Sequence, residues 1–324
     1  MKPPFSVIFL TTLIGIGQGL FLALYAGQLY SFFDLLPDQN SGNFYALGSA
    51  IALAFLCAGL LASFFHLGHP ERAWRSAAMW RTSWLSREVI ALPAFMGIVF
   101  LYGVTHWFNW NATLFDLPGG HHVNITFVLG AIGTLLSFTL FVCTGMIYAC
   151  LRFMQEWHTP LTPFNFILFG CASGFLMASI FASFAAPDFI QFYAGSAIVL
   201  TLLALIGRSA ALLRNSRIKP KSSLSTAIGI KHPHIVQISA GSMGGTFNSR
   251  TFFHGMKENY FRLIKPAFII LAFVLPLFIM LFAFSSPKLL IAAFFVQYIG
   301  LLFERWFFFA EANHPQNLYY KKVA

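Results

Sequence analysis

Long apolar runs separated by short polar stretches dominate this chain of 324 residues. Each run reaches the roughly 18 apolar residues that separate a membrane-spanning helix from a helix of a soluble core. The pattern therefore predicts an all-α, polytopic integral membrane bundle of eight transmembrane helices, which forms a single membrane domain over residues 1–324. The predicted spans are residues 5–33, 44–65, 89–107, 125–148, 164–184, 189–213, 266–284 and 289–309.

The basic residues are distributed unevenly over this arrangement. With eight spans both termini lie on one side, and that side holds 19 of the 20 Lys and Arg residues, whereas Lys288 alone lies opposite. The positive-inside rule then predicts that both termini lie in the cytoplasm. We expect a multi-pass protein of the bacterial inner (cytoplasmic) membrane. Contact with anionic membrane lipid explains much of the net charge of +10, so this charge does not indicate a nucleic-acid partner.

The stretch 214–265 differs in character from the spans on either side of it. It is rich in Ser and Gly, and it carries nine Lys or Arg residues against a single acid, Glu258. Two interpretations of this basic loop stay open. It is either a determinant of topology that touches lipid headgroups or a docking surface for a soluble partner, which its length and irregularity favour slightly.

The cysteines and histidines argue against a redox centre within the chain. The four cysteines fall inside predicted spans without a CxxC pair, so they do not form an iron–sulfur or zinc ligand set. The ten histidines lie in loops or at helix ends, whereas a haem held between membrane helices needs paired histidines at depth. We therefore expect no intrinsic haem, iron–sulfur cluster or metal site.

Most of the polar residues suited to chemistry lie in residues 64–88, between the second and third spans. This stretch holds two histidines, four arginines, two glutamates and three tryptophans. His66 ends the second span and Glu88 begins the third, so an antiparallel pair of helices brings both to one membrane margin. A hydroquinone that loses two electrons must also lose two protons, and an imidazole and a partly desolvated carboxylate are suited to accept them.

Further residues suit the ring of a quinol. Arg72 and Arg75 would stabilise developing negative charge, and Trp74 and Trp84 offer flat apolar surfaces to the ring. Gln18 lies within the first span, where an amide needs a hydrogen-bond partner, and we include it among the candidate quinol-binding residues.

Four stretches carry a resemblance to a known family. They are HLGHPERA from His66, SWLSRE from Ser83, ERWFFFAEANHP from Glu304, and residues 247–255. Together they resemble the membrane-anchor subunits of dimethyl sulfoxide reductase, the DmsC type. The resemblance covers essentially the whole chain, and the large loop between helices six and seven is typical of a longer variant.

The resemblance implies a subunit that binds and oxidises menaquinol in anaerobic electron transport. Its electrons would pass to a ferredoxin-like iron–sulfur subunit and from there to a molybdopterin catalytic subunit. The quinol-linked histidine of the family falls on His66, its motif arginine on Arg72 and its acidic residue on Glu88. His69 stands where shorter relatives carry a small residue, and it is either a second proton acceptor or a cap.

Two functions of other classes compete with this one. A small-molecule transporter needs broken helices or polar groups near the bilayer midplane, and apart from Gln18 the depths of the predicted spans are apolar. A purely structural membrane anchor needs no proton acceptors. In that case His66, Arg87 and Glu88 only cap and anchor helix ends.

Overall fold

The computed structural model describes residues 1–39, 41–116, 121–219, 221–232, 234–236, 238, 251–283 and 286–320. Within these ranges, eight helices are long and apolar enough to cross a membrane, which confirms the all-α membrane bundle. The first six spans contain α1 (Phe5–Phe32), α2 (Ala46–Phe64), α3 (Trp84–Trp107), α4 (Ile125–Ala149), α5 (Leu161–Ala185) and α6 (Ile190–Asn215). The remaining elements are a short helix α7 (Leu224–Ile228), a seventh span made of α8 (Glu258–Ile269), a π-helical turn (Ile270–Val274) and α9 (Leu275–Ala283), and an eighth span, α10 (Pro287–Glu311).

Helix α1 lies at the centre of the bundle, where it contacts α2, α4, α5 and α10. Glycines allow the closest of these approaches. Gly15 and Gly19 of α1 face Gly170 and Gly174 of α5, and a Cβ atom on Gly19 or Gly174 would overlap the opposite backbone. This close packing at Gly15 and Gly19 encloses the middle of α1.

The spans alternate in direction, so the bundle has two distinct ends. The loop 65–83 between α2 and α3, which we call the motif loop, lies at the end that carries both termini, the basic end. There the guanidinium of Arg214 donates to the carbonyl oxygen of Gln155 at 2.9 Å, which joins the chain after α6 to the loop between α4 and α5. At the opposite end, the strand end, β1 (Thr113–Asp116) pairs antiparallel with β2 (His122–Asn124).

Two helices begin more than one turn before their predicted spans. Helix α3 begins at Trp84 because the Ser83 side chain accepts a hydrogen bond from the Ser86 backbone N–H and caps the helix. Residues 258–265 of the predicted basic loop form the first turns of α8. Residues 239–250 of that loop lie outside the described residues. They include residues 247–250, the first part of the motif 247–255.

Candidate functional site

The motif-loop residues predicted to bind quinol lie on the surface of the basic end. The Trp74 side chain is 72% exposed, and the guanidinium of Arg75 lies 5.6 Å from the centre of its ring. Arg72 lies 3.7 Å from the carboxylate of Glu71, and Nδ1 of His69 lies 3.0 Å from the same carboxylate. These contacts stay within the loop, so the loop presents aromatic and cationic groups outward instead of enclosing a ring.

His66 follows directly after α2, and its side chain is exposed as well. Partial desolvation by the neighbouring protein lowers the pKa of His66 from its ordinary value. An imidazole with a lowered pKa is neutral at pH 7 and free to accept a proton. His66 therefore offers a neutral imidazole in a position that solvent reaches directly.

Glu88 lies near the start of α3 and faces the interior of the bundle. The hydroxyl of Thr144 in α4 donates a hydrogen bond to Glu88 Oε1. Ala91, Leu92 and Phe95 are buried and follow Glu88 at helical spacing, so Glu88 belongs to the buried face of α3. The two predicted proton acceptors thus lie in different surroundings, one exposed and one internal.

A small cavity of about 20 Å³, lined by apolar and polar side chains, lies among α1, α3, α4, α5 and α10. A cavity of this size is large enough for a water molecule. Its polar lining includes Gln18, Glu88, Thr144, Ser173 and Arg305. The structure thus brings together two predicted site residues, Gln18 and Glu88, with Thr144 and Arg305, which the sequence pattern did not single out.

The amide of Gln18 has the partner that its depth requires. The residue is 2% exposed, and its Nε2 donates to the carbonyl oxygen of Ser137 at 2.9 Å. A buried amide without such a bond would destabilise the fold. This bond joins α1 to α4 beside the cavity, so it also fixes one wall of the space in front of Glu88.

An apolar groove of about 590 Å³ opens outward between α3 and α4. Trp80, Trp84 and Arg87 line it on the α3 side, and Cys143 lines it on the α4 side. The groove lies within the volume range of ligand-binding pockets, which is about 300 to 1,000 Å³. Of the motif tryptophans predicted to face a quinol ring, Trp84 therefore borders a space of suitable size and Trp74 lies on the exposed loop.

The groove and the cavity are separated by the contact between α3 and α4. Arg87 and Cys143 face the groove, whereas the next residue of each helix, Glu88 and Thr144, faces the cavity. Arg87 is itself fixed: its guanidinium lies 4.2 Å from the Trp84 ring centre and donates to the carbonyl oxygen of Trp80 at 2.9 Å. The hydrogen bond between Thr144 and Glu88 thus lies between the apolar groove on one side and the small cavity, with its several polar groups, on the other.

Four charged side chains lie among the helices of the C-terminal half. Arg208 of α6 is 3% exposed, and its Nε lies 2.8 Å from Oε1 of Glu304 in α10. Its NH2 group lies 3.5 Å from Oε2 of Glu311. Arg305 lies 3.6 Å from Glu304 and stacks 3.6 Å from the centre of the Phe166 ring. These charges lie in the last turns of α6 and α10, toward the basic end, where they pair inside the bundle. The prediction that the spans are apolar at depth apart from Gln18 is wrong at another position, because Gln297 in the middle of α10 is 2% exposed and its amide donates to the Thr201 hydroxyl of α6 at 3.3 Å.

Comparison with known proteins decides the family. Residues 1–310 match the DMSO reductase anchor subunit family (DmsC). The chain belongs to this family. It is also 54% identical over 326 residues to the C subunit of the sulfite dehydrogenase of Allochromatium vinosum, and the match covers 100% of both chains. The resemblance inferred from the motifs is confirmed, and the chain is a multi-pass membrane-anchor subunit of a molybdopterin oxidoreductase family with a catalytic oxidoreductase partner.

The motifs of this DmsC-family anchor fall into two structural settings. The run from His66 to Ala73 lies in the motif loop, where its polar side chains reach solvent. The run that begins at Glu304 lies in α10, where Glu304 and Arg305 are buried and Arg305 lines the cavity that also holds Glu88. The first motif therefore forms a surface of the anchor, and the second forms part of its polar interior.

Proposed function

We propose that this anchor protein binds and oxidises menaquinol and passes the electrons to a ferredoxin-like iron–sulfur subunit, which serves a molybdopterin catalytic subunit. The observation that supports this most is the position of Glu88, held by Thr144 in the wall between the apolar groove and the small cavity. A quinol ring requires an apolar surface, and its protons require an acceptor within reach. The outer face of this wall offers the apolar surface, and the acceptor, Glu88, lies on the inner face, so the quinol proton must cross the wall to reach it.

In this proposal the groove receives the quinol ring, with the indole of Trp84 as an apolar platform. Oxidation of one quinol releases two electrons to the iron–sulfur partner and two protons. Glu88 takes one proton on the inner side of the wall, and His66, neutral at pH 7, takes the other at the exposed margin. Gln18 supports Glu88 from across the cavity.

The exposed part of the motif loop is suited to a different task. Trp74, Arg72, Arg75 and His69 project from the basic end with their polar and aromatic surfaces accessible. Aromatic and Arg side chains are enriched in protein–protein interfaces. We therefore assign these residues to the contact with the iron–sulfur subunit, through which they influence the quinol site indirectly. With the basic end in the cytoplasm of a bacterial cell, the partner subunits lie on that side of the inner membrane.

A second candidate function reverses the direction of electron flow. It is favoured by the identity of 54% to a protein named as the C subunit of a sulfite dehydrogenase. Sulfite and water would give sulfate, two protons and two electrons in the catalytic subunit, and the anchor would use two electrons and two protons to reduce a quinone. Because a group that accepts a proton in one direction donates it in the other, Glu88 and His66 serve both. Turnover of the purified complex with sulfite and with dimethyl sulfoxide distinguishes the two directions.

The test of the proposed site compares two kinds of turnover in the intact complex. Glu88→Gln and His66→Ala should each lower quinol-linked turnover by about 10² to 10⁴ fold, the usual contribution of a general base, while reduction by an artificial dye that reaches the catalytic subunit directly stays near wild type. Glu258→Gln is the matched control, because Glu258 is an exposed glutamate that pairs with Arg262 on the surface, away from the proposed site. The proposal is wrong if Glu88→Gln retains quinol-linked turnover, or if dye-linked turnover falls in parallel.

A further inference from the structure

The buried charges of the C-terminal half lie between the Glu88 cavity and the basic end. We propose that Arg305, Glu304, Arg208 and Glu311 form a route by which protons pass between the cavity and the solvent at the basic end. This inference rests on the proposed function, since it assumes that Glu88 exchanges protons with a quinol. It extends that function by assigning the path that the protons follow after Glu88.

The first link of the route is the cavity itself. Glu88 and Arg305 line the same small space from opposite helices, α3 and α10, and its volume of about 20 Å³ suits a water molecule. Thr11, Thr12 and Ser173 add hydroxyl groups to the lining. A water molecule in this space would have polar partners on several sides, which is the condition for its stable binding.

The second link is the row of ion pairs between α10 and α6. Glu304 is 1% exposed, lies 3.6 Å from Arg305 on one side and 2.8 Å from Arg208 on the other, and Arg208 reaches Glu311 at 3.5 Å. Oε2 of Glu304 is buried and accepts no hydrogen bond from the residues that the structure describes. This oxygen is therefore the point in the row at which a proton or a water molecule finds an open acceptor.

The third link opens to solvent at the basic end. Asn215 bonds to the side chain of Glu311. The same Asn215 lines a cleft of about 310 Å³ together with Glu156, Asn313 and His314. Burial raises the pKa of Glu156, a loop residue outside the spans, so this carboxyl group takes up a proton closer to neutral pH than an exposed one does.

The arginine and glutamate side chains have different roles in this route. Arginine does not lose its proton in proteins, so the carriers are the carboxylates and water. The route begins when Glu88 releases its proton to the cavity water. The proton then visits Glu304 and Glu311 in turn and leaves through Glu156, while Arg208 and Arg305 hold the carboxylates in line. For quinone reduction the same steps run in reverse, with one proton taken from solvent for each one delivered.

A purely structural role for these charges is the alternative to be tested. Buried ion pairs are often no more stabilising than apolar residues of similar volume, so stability alone does not account for four charges placed in two helices. The two roles differ in what they predict. A structural row affects folding and leaves proton transfer unchanged, whereas a proton route affects the rate of proton transfer in a folded protein.

The experiment uses the intact complex and three glutamate variants at the same end of the molecule. Glu311→Gln and Glu156→Gln remove carriers, and Glu258→Gln is the matched control because Glu258 is exposed and pairs with Arg262 on the surface. Quinol-linked turnover and proton release, followed with a pH-sensitive dye, should fall about tenfold or more in both carrier variants, since positioned proton carriers contribute at least this much. The ratio of rates in H₂O and D₂O should rise, and dye-linked turnover should stay within about twofold of wild type.

Two outcomes overturn the proposal. If both carrier variants behave like Glu258→Gln in turnover and in the solvent isotope effect, protons do not pass along these ion pairs. If dye-linked turnover falls together with quinol-linked turnover, the ion pairs have a structural role. Glu156 lies outside the ion pairs, so Glu156→Gln remains informative even if Glu311→Gln fails to assemble. Glu88→Gln, measured alongside, distinguishes a failure of the proposed quinol site from a failure of the proton route. If Glu88→Gln also leaves quinol-linked turnover intact, the proposed site is wrong. If Glu88→Gln slows turnover and the two carrier variants do not, only the route is wrong.

Discussion

At the residue scale, the setting of Glu88 depends on where α3 begins. The hydrophobic pattern predicts a start at residue 89, whereas the cap at Ser83 starts the helix at Trp84. Helical spacing then aligns Glu88 with the buried residues Leu92 and Phe95 and turns Arg87 outward to the groove. A shift of more than one turn in the helix start thus places the carboxylate that was predicted at the membrane margin inside the bundle.

His66 gives a prediction about the pH dependence of turnover. Its pKa is lowered from its ordinary value by partial desolvation, so the neutral, proton-accepting form persists to lower pH than in a free histidine. If His66 accepts a quinol proton, quinol-linked turnover should hold as the pH falls to about 6.5 and decline only below it, as the ring becomes protonated. The pH profile of the purified complex measures this.

The variant His66→Ala should lose the decline of quinol-linked turnover at acid pH, and its maximal turnover should also be lower. His232→Ala is the control, because His232 is another exposed imidazole in the loops of the basic end. A limb that persists unchanged in His66→Ala would assign the titration to another group and contradict the role of His66.

The sequence could predict some of the internal site and not the rest, for identifiable reasons. Gln18 and Glu88 stood out because polar residues in or beside an apolar run are rare. Thr144 gave no such signal, since a threonine hydroxyl can bond to its own helix and is common in spans. Arg305 had a usable signal, because it falls inside the predicted eighth span, and a charge inside a span suggests function. The Glu88 that shares its cavity could not be predicted from the sequence, because this depends on how α3 and α10 are placed around α1 and α5.

At the scale of elements, the contact between α1 and α5 determines whether the cavity can form. The two glycine pairs allow the helix backbones to touch, and Gln18 and Ser173 lie among them on the two helices that line the cavity. Because lipid provides no hydrophobic force between helices, such packing is a main source of association in a membrane bundle. The cavity is therefore a consequence of helix geometry as much as of polar residues.

A single added methyl group should test that contact. Gly19→Ala places a Cβ atom against the carbonyl group of Gly170, which cannot move without shifting α5, and overpacking of this kind costs about 1–3 kcal/mol. Gly97→Ala is the control, since a Cβ at Gly97 meets no atom within 4 Å. The apparent unfolding midpoint in detergent should fall for Gly19→Ala and stay the same or rise for Gly97→Ala. Equal behaviour of the two variants would contradict a close contact between α1 and α5.

The pairing of α6 with α10 gives a second prediction at this scale. Arg208→Leu leaves Glu311 and part of Glu304 without their cation inside the bundle, and breaking a buried pair costs about 3–5 kcal/mol. Arg262→Leu removes an arginine from an exposed pair with Glu258, where little change is expected. Titration of the purified protein with a denaturing detergent compares the two variants. If Arg208→Leu unfolds at the same detergent concentration as the wild type, the four charges do not hold α6 and α10 together.

At the scale of the whole molecule, the hydrophobic pattern predicts most of the fold and little of the basic end. Eight spans follow from run length alone, because each must cross the same apolar thickness. The loops are not constrained in this way, so the early start of α8 and the cleft beside Glu156 depend on packing between distant parts of the chain. The same end carries the motif loop, the proposed proton exit and the excess of basic residues, which makes its orientation in the membrane decisive.

The orientation can be tested with reporters at two positions on opposite ends of the bundle. Asp116 closes β1 at the strand end, and Ser223 caps the short helix α7 at the basic end. Since Lys and Arg are retained on the cytoplasmic side during insertion, a fusion after Asp116 should be active only with a periplasmic enzyme reporter, and a fusion at Ser223 only with a fluorescent protein that matures in the cytoplasm. Each site serves as the control for the other, because both reporters are placed at both positions. The reverse pattern would put the motif loop and the partner subunits outside the cytoplasm, and the proton route would then open on that side.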